Sequence, residues 1–394
     1  MIKSISLEDK KVLIRVDYNV PIHESEVVDD YRIRKSIPTI KYCLEQGASV
    51  ILMSHLGRPN GYDINYSLRP VCEKLEEILD TDIIFSDDCI SDKALIVSSG
   101  LEKGQIHMLE NLRFHKGELE NCPNFSKTLS FHGDIYINDA FGTAHRSHAS
   151  NIGVTNFLNE RSIGFLMEKE LRYLKEEINN PIRPLVVVMG GAKIRDKIEL
   201  IENLLNIADH LLIGGALSFP FLKAKGINIE SSLIDDASLK NAKRLLEYAD
   251  QKKKEIIFPS DFVVAPSIDD TENIDIKSIQ NLDSKSNCYD IGPETTMVFS
   301  QILSGAETIL WNGPLGVSEN PYFGTGTQQI CRITEELTNN GVISILGGGD
   351  TAAAARKFSQ FGKFTHISTG GGASLELLSG IELPAIEALG YYDK

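Results

Sequence analysis

Residues 341–358 read GVISILGGGDTAAAARKF. Residues 342–346 are a short apolar, β-favouring run, which predicts a buried strand. Gly347, Gly348 and Gly349 follow without side chains, and Asp350 and Thr351 then offer helix caps ahead of the helix-forming alanines 352–355. A strand, a glycine turn and a helix start in that order make an anion site. Main-chain N–H groups point outward, the helix dipole adds partial positive charge, and glycine lets a phosphate approach the backbone. Asp350 then suits a magnesium ion carried on that phosphate. A plain tight turn with Asp350 as N-cap accounts for the same residues without a ligand.

The turn has company. LVVVMGGAK at 185–193, HLLIGGAL at 210–217 and HISTGGGAS at 366–374 also run from apolar residues into adjacent glycines, whereas the first 180 residues contain no glycine pair. The second half of the chain is therefore expected to surround a phosphate-rich ligand. At 394 residues the chain is too long for one ordinary domain, and two are expected. A net charge of −15 argues against nucleic acid or an anionic membrane as main partner. The opening MIKSISLEDKK has no signal-peptide core, and no apolar run reaches membrane-spanning length. Six cysteines lie scattered without a CxxC, which favours reduced thiols in the cytoplasm over a disulfide framework or a zinc site.

The first half repeats a different pattern. Residues 11–16 read as a strand that ends in RVDYNVP, placing Asp17 and Asn19 at a strand end, where α/β folds hold ligands; both also suit a turn before Pro21. Arg32 precedes a helix expected over 34–46. The strand 48–53 runs into SHLGRP with His55, Leu56, Gly57 and Arg58, the strand 106–109 leads to Arg113, and the strand 134–138 leads to Arg146. Four arginines after strands of one parallel sheet would converge on an anion, since the guanidinium fork matches carboxylate and phosphate. Scattered ion pairs to the many acids are the alternative. His145 and His148 form an HxxH, but no third ligand stands at a familiar spacing.

A helix is expected over 163–178, broken by NNPIRP at 179–184, which sets the domain boundary. Beyond it, strands and helices alternate, implying a parallel sheet covered on both faces, with polar residues 266–287 as a hairpin or loops on an edge. MGGAKIRDKI at 189–198 puts Lys193 and Lys197 four residues apart beside a glycine turn, the spacing of one helix face. Neither a Walker A loop nor a GxGxxG occurs. WNGPLGVSENP at 311–321 supplies Asn312 and Glu319, the latter suited to ribose hydroxyls. A lysine-and-glycine nucleotide site and an arginine anion site together fit phosphoryl transfer between two bound anions.

RVDYNVP, SHLGRP, LENLRFH, NDAFGTAHRSH, GGAKIRDKI, WNGPLGV, GGGDTAAA and STGGGASLELLSG, in that order over residues 15–380, resemble the phosphoglycerate kinase family. The resemblance implies an α/β fold of two doubly wound parallel-sheet, Rossmann-like domains joined by a connecting helix and hinge. These would be residues 1–162 for phosphoglycerate, 163–180 for the helix and 181–369 for the nucleotide, with a tail, 370–394, returning to the first domain. It implies transfer between 1,3-bisphosphoglycerate and ADP giving 3-phosphoglycerate and ATP, with Mg2+, in a cytoplasmic monomer. By motif match, Asp17, Asn19, Arg32, His55, Leu56, Gly57, Arg58, Arg113 and Arg146 correspond to the triose site. Lys197, Gly292, Glu319, Gly347, Gly348, Gly349, Asp350 and Thr351 correspond to the nucleotide site. Arg32, Lys193, Lys197, Gly348 and Gly349 are expected to act on the transferring group, with Asp350 on the metal. Ligands starting on separate domains imply closure about the helix 163–178 and the glycines 370–372.

Overall fold

The computed structural model describes residues 2–192, 194–229, 234–284 and 286–392. Two six-stranded parallel sheets organise it. The first runs, in sheet order, Ile83–Ser86, Ile106–Leu109, Ser49–Met53, Lys11–Arg15, Ile135–Asn138 and Glu160–Ile163. Every neighbouring pair is parallel. Alternation along the strands divides their apolar side chains between two cores. Val12, Ile14, Val50 and Leu52 enter one, and Leu13, Ile51, Met53 and Tyr136 the other. Strands buried on both faces explain the near-continuous apolar runs that mark them in the sequence.

The second sheet runs Ile256–Ile257, His210–Ile213, Leu185–Met189, Thr308–Asn312, Ile343–Gly347 and His366–Ile367, again all parallel. Its strands, ranked by chain position, stand in the order 3-2-1-4-5-6, that of dinucleotide-binding folds, although the chain has no GxGxxG. The order reverses between Leu185–Met189 and Thr308–Asn312. In the first sheet the corresponding point lies between Lys11–Arg15 and Ile135–Asn138. Ligands bind beyond the carboxyl ends of strands at such points.

The chain divides into two compact units, Met1–Leu171 with Glu382–Lys394, and Arg172–Ile381. Within the first, the Ala385 N–H donates to Ala144 O at 3.1 Å. No helix among the described residues is long and apolar enough to cross a membrane.

Several elements depart from expectation. Ile163 ends a strand opposite Asn138 instead of opening a helix. A Cβ on Gly164 would stand 2.4 Å from the Asp139 carboxyl, whose Oδ1 accepts the Met167 N–H at 3.1 Å. The helix therefore starts at Phe165, runs to Leu171 and continues as a π-helical turn, Arg172–Glu177. The helix expected over 34–46 begins earlier, at Tyr31, because Asp29 accepts the Tyr31 N–H at 2.9 Å and Asp30 the Arg34 Nε–H at 3.0 Å. Arg32 thus lies on the first turn of that helix and not in a loop. In the polar stretch 266–287, Asp275–Ser278 pairs antiparallel with Asp261–Ala265, which also pairs with Asn287–Ile291.

Candidate active site

At the carboxyl end of the first sheet the side chains are wired to one another. Asp17, just past Lys11–Arg15, accepts from Arg32 Nη1 at 2.9 Å and from the Asn19 N–H at 3.2 Å. Asn19 Oδ1 accepts the Gly57 N–H at 2.9 Å, and its carbonyl lies 3.3 Å from Arg32 Nη1. Arg113, on the 3-10 turn Leu112–Phe114, donates to Gly57 O at 2.5 Å. Leu56 is buried, and its carbonyl accepts from Asn111 Nδ2 at 2.7 Å, which fixes the loop carrying Gly57. Asp17, Asn19, Arg32, Gly57 and Arg113 therefore form one connected set. Arg58 and Arg146 are exposed, with their charges felt at Arg113 and at His145 and His148 respectively.

Sequence reasoning passed over Arg15, which ends its strand fully buried. Its Nε donates to Ser150 Oγ at 2.8 Å, its Nη1 to Val16 O, and its Nη2 meets His55 Nδ1 at 3.0 Å. The only signal was a charged residue closing an apolar strand. Burial and the guanidiniums of Arg15, Arg113 and Arg32 hold the pKa of His55 well below its ordinary range. A neutral ring that accepts at Nδ1 carries its proton on Nε2, so His55 is a donor there. His148 is held down to about 4 by burial, then by Arg113, Arg15 and Arg146, and burial lowers Arg113 itself to about 10. The Nδ1 atoms of His145 and His148 and the Nε of Arg113 are buried without hydrogen-bond partners. Among the described residues no carboxylate lies within ion-pair distance of Arg15, Arg58, Arg113 or Arg146. This end of the sheet carries excess positive charge, which an anion would neutralise.

The second site forms where the second sheet reverses. Lys197 Nζ donates to Gly190 O at 2.7 Å and to Asn312 Oδ1 at 2.8 Å, so it bridges the ends of the two central strands. Lys197 closes a 3-10 turn, Arg195–Lys197, ahead of the helix Ile198–Ile207, so the helix-face geometry expected for it does not apply. Lys193 lies outside the described residues. Gly190 is required by close approach: a Cβ there would stand 2.0 Å from Pro314 O. Asn312 Nδ2 is buried without a partner and faces the glycine turn, 3.1 and 3.3 Å from where Cβ atoms of Gly347 and Gly348 would be.

Gly348, at φ 91°, is the N-cap of the helix Gly349–Phe358 and offers no side-chain cap. Asp350 is therefore not the cap: it sits one residue inside the first turn, exposed, where a negative charge suits the dipole. Thr351 is buried. Its Oγ1 accepts the Gly313 N–H at 2.6 Å and donates to Gly347 O at 2.6 Å, so it shapes the turn and has no hydrogen left for a ligand. Asp350 and Glu319 line the same cleft of about 220 Å³, with Gly191, Gly215, Phe219 and Pro314. Gly292 stands apart from that lining as N-cap of Pro293–Leu303, where a Cβ would meet the Asp261 carboxylate at 2.2 Å. Magnesium prefers oxygen ligands, keeps several waters and takes one or two carboxylates plus phosphate oxygens. The exposed carboxylate of Asp350 at a glycine-lined helix start fits that demand.

The phosphoglycerate kinase family model matches residues 2–381. A phosphoglycerate kinase of Thermosipho africanus is 47% identical over 392 residues, covering 98% of this chain and 97% of its own. One of Thermosynechococcus vestitus is 46% identical over 389 residues, covering 98% and 97%. The structure of phosphoglycerate kinase from Coxiella burnetii superposes with a TM-score of 0.89 at 37% identity, covering 100% of this chain and 99% of that one.

Proposed function

The chain belongs to the phosphoglycerate kinase family, and from that premise we propose how its residues share the reaction. It catalyses reversible phosphoryl transfer between 1,3-bisphosphoglycerate and ADP, giving 3-phosphoglycerate and ATP, in glycolysis. The attacking atom is a phosphate oxygen of ADP or, in reverse, a carboxylate oxygen of 3-phosphoglycerate. Both are ionised at neutral pH, so the chain needs no general base. Its work is to align two anions and gather positive charge on the group in flight.

The reading assigns Arg58, Arg113, Arg146 and the Nε2–H of His55 to the phosphate and carboxylate of the triose. Asp17 and Asn19 hold Arg32 and Gly57 in place for it. Arg32 and Lys197 bind the transferring phosphoryl, with Lys193 in support. Main-chain N–H groups at Gly348 and Gly349 receive developing charge, and Glu319 takes ribose hydroxyls. Gly292, Gly347 and Thr351 keep the nucleotide pocket in shape. Asp350 would hold Mg2+, which when bound offsets charge on the nucleotide phosphates. Because each substrate is assigned to its own unit, transfer requires a closing step that also excludes water. Every assigned group comes from one chain, so a monomer suffices, and six free cysteines suit a reducing cytoplasm. The charge of −15 disfavours nucleic acid as a partner.

The observation that carries this reading is the set of guanidiniums at one sheet end, where among the described residues Arg15, Arg58, Arg113 and Arg146 have no carboxylate within ion-pair distance. Equilibrium titration of Arg58→Ala and Arg146→Ala tests it. Binding of 3-phosphoglycerate should weaken by about tenfold or more, the scale of one lost charged contact, while ADP binding holds. Equal losses for both ligands would overturn the division of labour.

A further inference from the structure

Away from both sites, three different ligand types meet beyond the edge strand Ile83–Ser86. Donor atoms of Asp88, Cys89 and His115 all lie within 4.8 Å of one another, the one such group among the described residues. Asp88 is already oriented. Its Oδ1 accepts the N–H groups of Ile90 and Ser91 at 2.7 and 2.8 Å, and its Oδ2 meets His115 Nε2 at 3.1 Å. The His115 ring packs on Phe125 with centroids 5.5 Å apart. Cys89 is fully buried, and its carbonyl is held by His132 Nε2 at 2.9 Å. The side chains of His115 and Asp88 are 27% and 37% exposed, so the group is closed behind the sulfur and open to water in front.

We propose that Asp88, Cys89 and His115 bind one borderline-soft divalent metal ion, of the zinc or cobalt kind. Thiolate, imidazole and carboxylate together are a zinc-type donor set, and three protein ligands leave a fourth position for water. Zinc bond lengths put tetrahedral ligand atoms about 3.3–3.7 Å apart, so a shift of about 1 Å closes the group around an ion. Magnesium, which the nucleotide requires, prefers oxygen and does not compete. On binding, the Cys89 S–H bond breaks, its proton leaves to solvent and the sulfur pair forms the bond to the metal. No short motif joins the three residues, because Cys89 and His115 follow different strands that only the sheet brings side by side. The ion would tie the loop after Ile83–Ser86 to the end of the turn that carries Arg113.

Cobalt(II) titration of the full, untagged chain tests this. One equivalent should bind with a thiolate-to-cobalt charge-transfer band in the near ultraviolet. Cys89→Ser should abolish the band. Losing a supporting partner of a ligand already costs 10–100-fold, so His115→Asn should weaken binding by about 100-fold or more. Asp350→Asn should change neither. A titration without the band, or a band of unchanged strength in both Cys89→Ser and His115→Asn, overturns the site. Should Cys89→Ser not fold, the partly exposed His115→Asn decides alone.

Discussion

In the first unit Arg32 is held by Asp17, Arg15 by His55 and Ser150, and the Gly57 N–H by Asn19. In the second, Lys197 is held by Gly190 O as well as Asn312, and the turn is closed through Thr351 between Gly313 N–H and Gly347 O. The candidate site of one unit is built from crowded side-chain charge, that of the other from backbone with Lys197. Burial first, and for His55, His145 and His148 the neighbouring guanidiniums as well, disfavours the charged form of several histidines here. The histidines whose pKa is pressed down, His55, His107, His132, His145 and His148, all belong to the first unit. The second unit instead depends on close main-chain approach, where glycine cannot be replaced.

This contrast fixes the response to acid. A histidine whose folded pKa is lowered binds fewer protons folded than unfolded between that value and the ordinary 6.5. Stability is therefore complete above that ordinary value and is lost as pH falls, down to about 4 for His145 and His148 and about 3 for His107. Burial also raises Asp139 and Asp290 to about 7, which acts in the opposite sense, but one lies in each unit and they do not separate the two. The first unit should unfold first on acidification. Trp311, the sole tryptophan, is buried in the second unit, so its emission reports that unit alone. Far-UV circular dichroism should fall at a higher pH than Trp311 emission shifts. Coincident transitions would erase the contrast.

The next largest effect is catalytic. Arg32→Ala should lower kcat by about 100-fold or more with a smaller change in KM, the signature of a contact made in the transition state. Steady-state rates at saturating 3-phosphoglycerate and ATP read this directly. A raised KM with normal kcat would make Arg32 a ground-state binder like Arg58. In the second unit the matching experiment is structural. Thr351→Val leaves the Gly313 N–H and Gly347 O without their partner, and buried groups so stranded cost about 1–3 kcal/mol. Trp311 Nε1 donates to Gly313 O at 2.8 Å, so urea unfolding followed by its emission reports the loss. Thr351→Ser keeps both bonds and should cost less; equal losses would locate the effect in packing.

The sequence disclosed the two units to the same depth. Strand ends and glycine turns are local, so Asp17, His55, Arg113, Gly348 and Asp350 could be placed at strand ends from sequence alone. Contacts across the sheet could not. Lys197 and Asn312 are 115 residues apart and meet only because their strands are neighbours. Arg15 and Ser150 are likewise joined by sheet order. Helix starts were misjudged where acids took main-chain N–H groups, as at Asp29, and where a positive φ reserved the cap for Gly348. Nor does the sequence show how the start of Phe219–Ala224 is accommodated: Ser218 Oγ donates to Gly215 O at 2.7 Å, and Pro220 occupies the first turn, where its missing N–H costs nothing.

The smallest effect tests whether the second unit needs any side-chain charge besides lysine. Asp350 is exposed and lies in the first turn of Gly349–Phe358, away from the cap. Replacing it with asparagine keeps its shape and removes one charge. The helix loses a favourable dipole contact worth about 0.3–1 kcal/mol at such a position, so folding should barely change. If Asp350 holds magnesium on the nucleotide, the substitution would take away one oxygen ligand of several. Asp350→Asn should therefore weaken ADP binding by about tenfold when magnesium is present. Without magnesium the same change removes a negative charge near the phosphates and should leave affinity level or slightly improved. Calorimetric titration of ADP in both conditions separates the two roles. A loss that persists without the ion would make Asp350 a direct contact to the nucleotide. No loss in either condition would remove Asp350 from the nucleotide site.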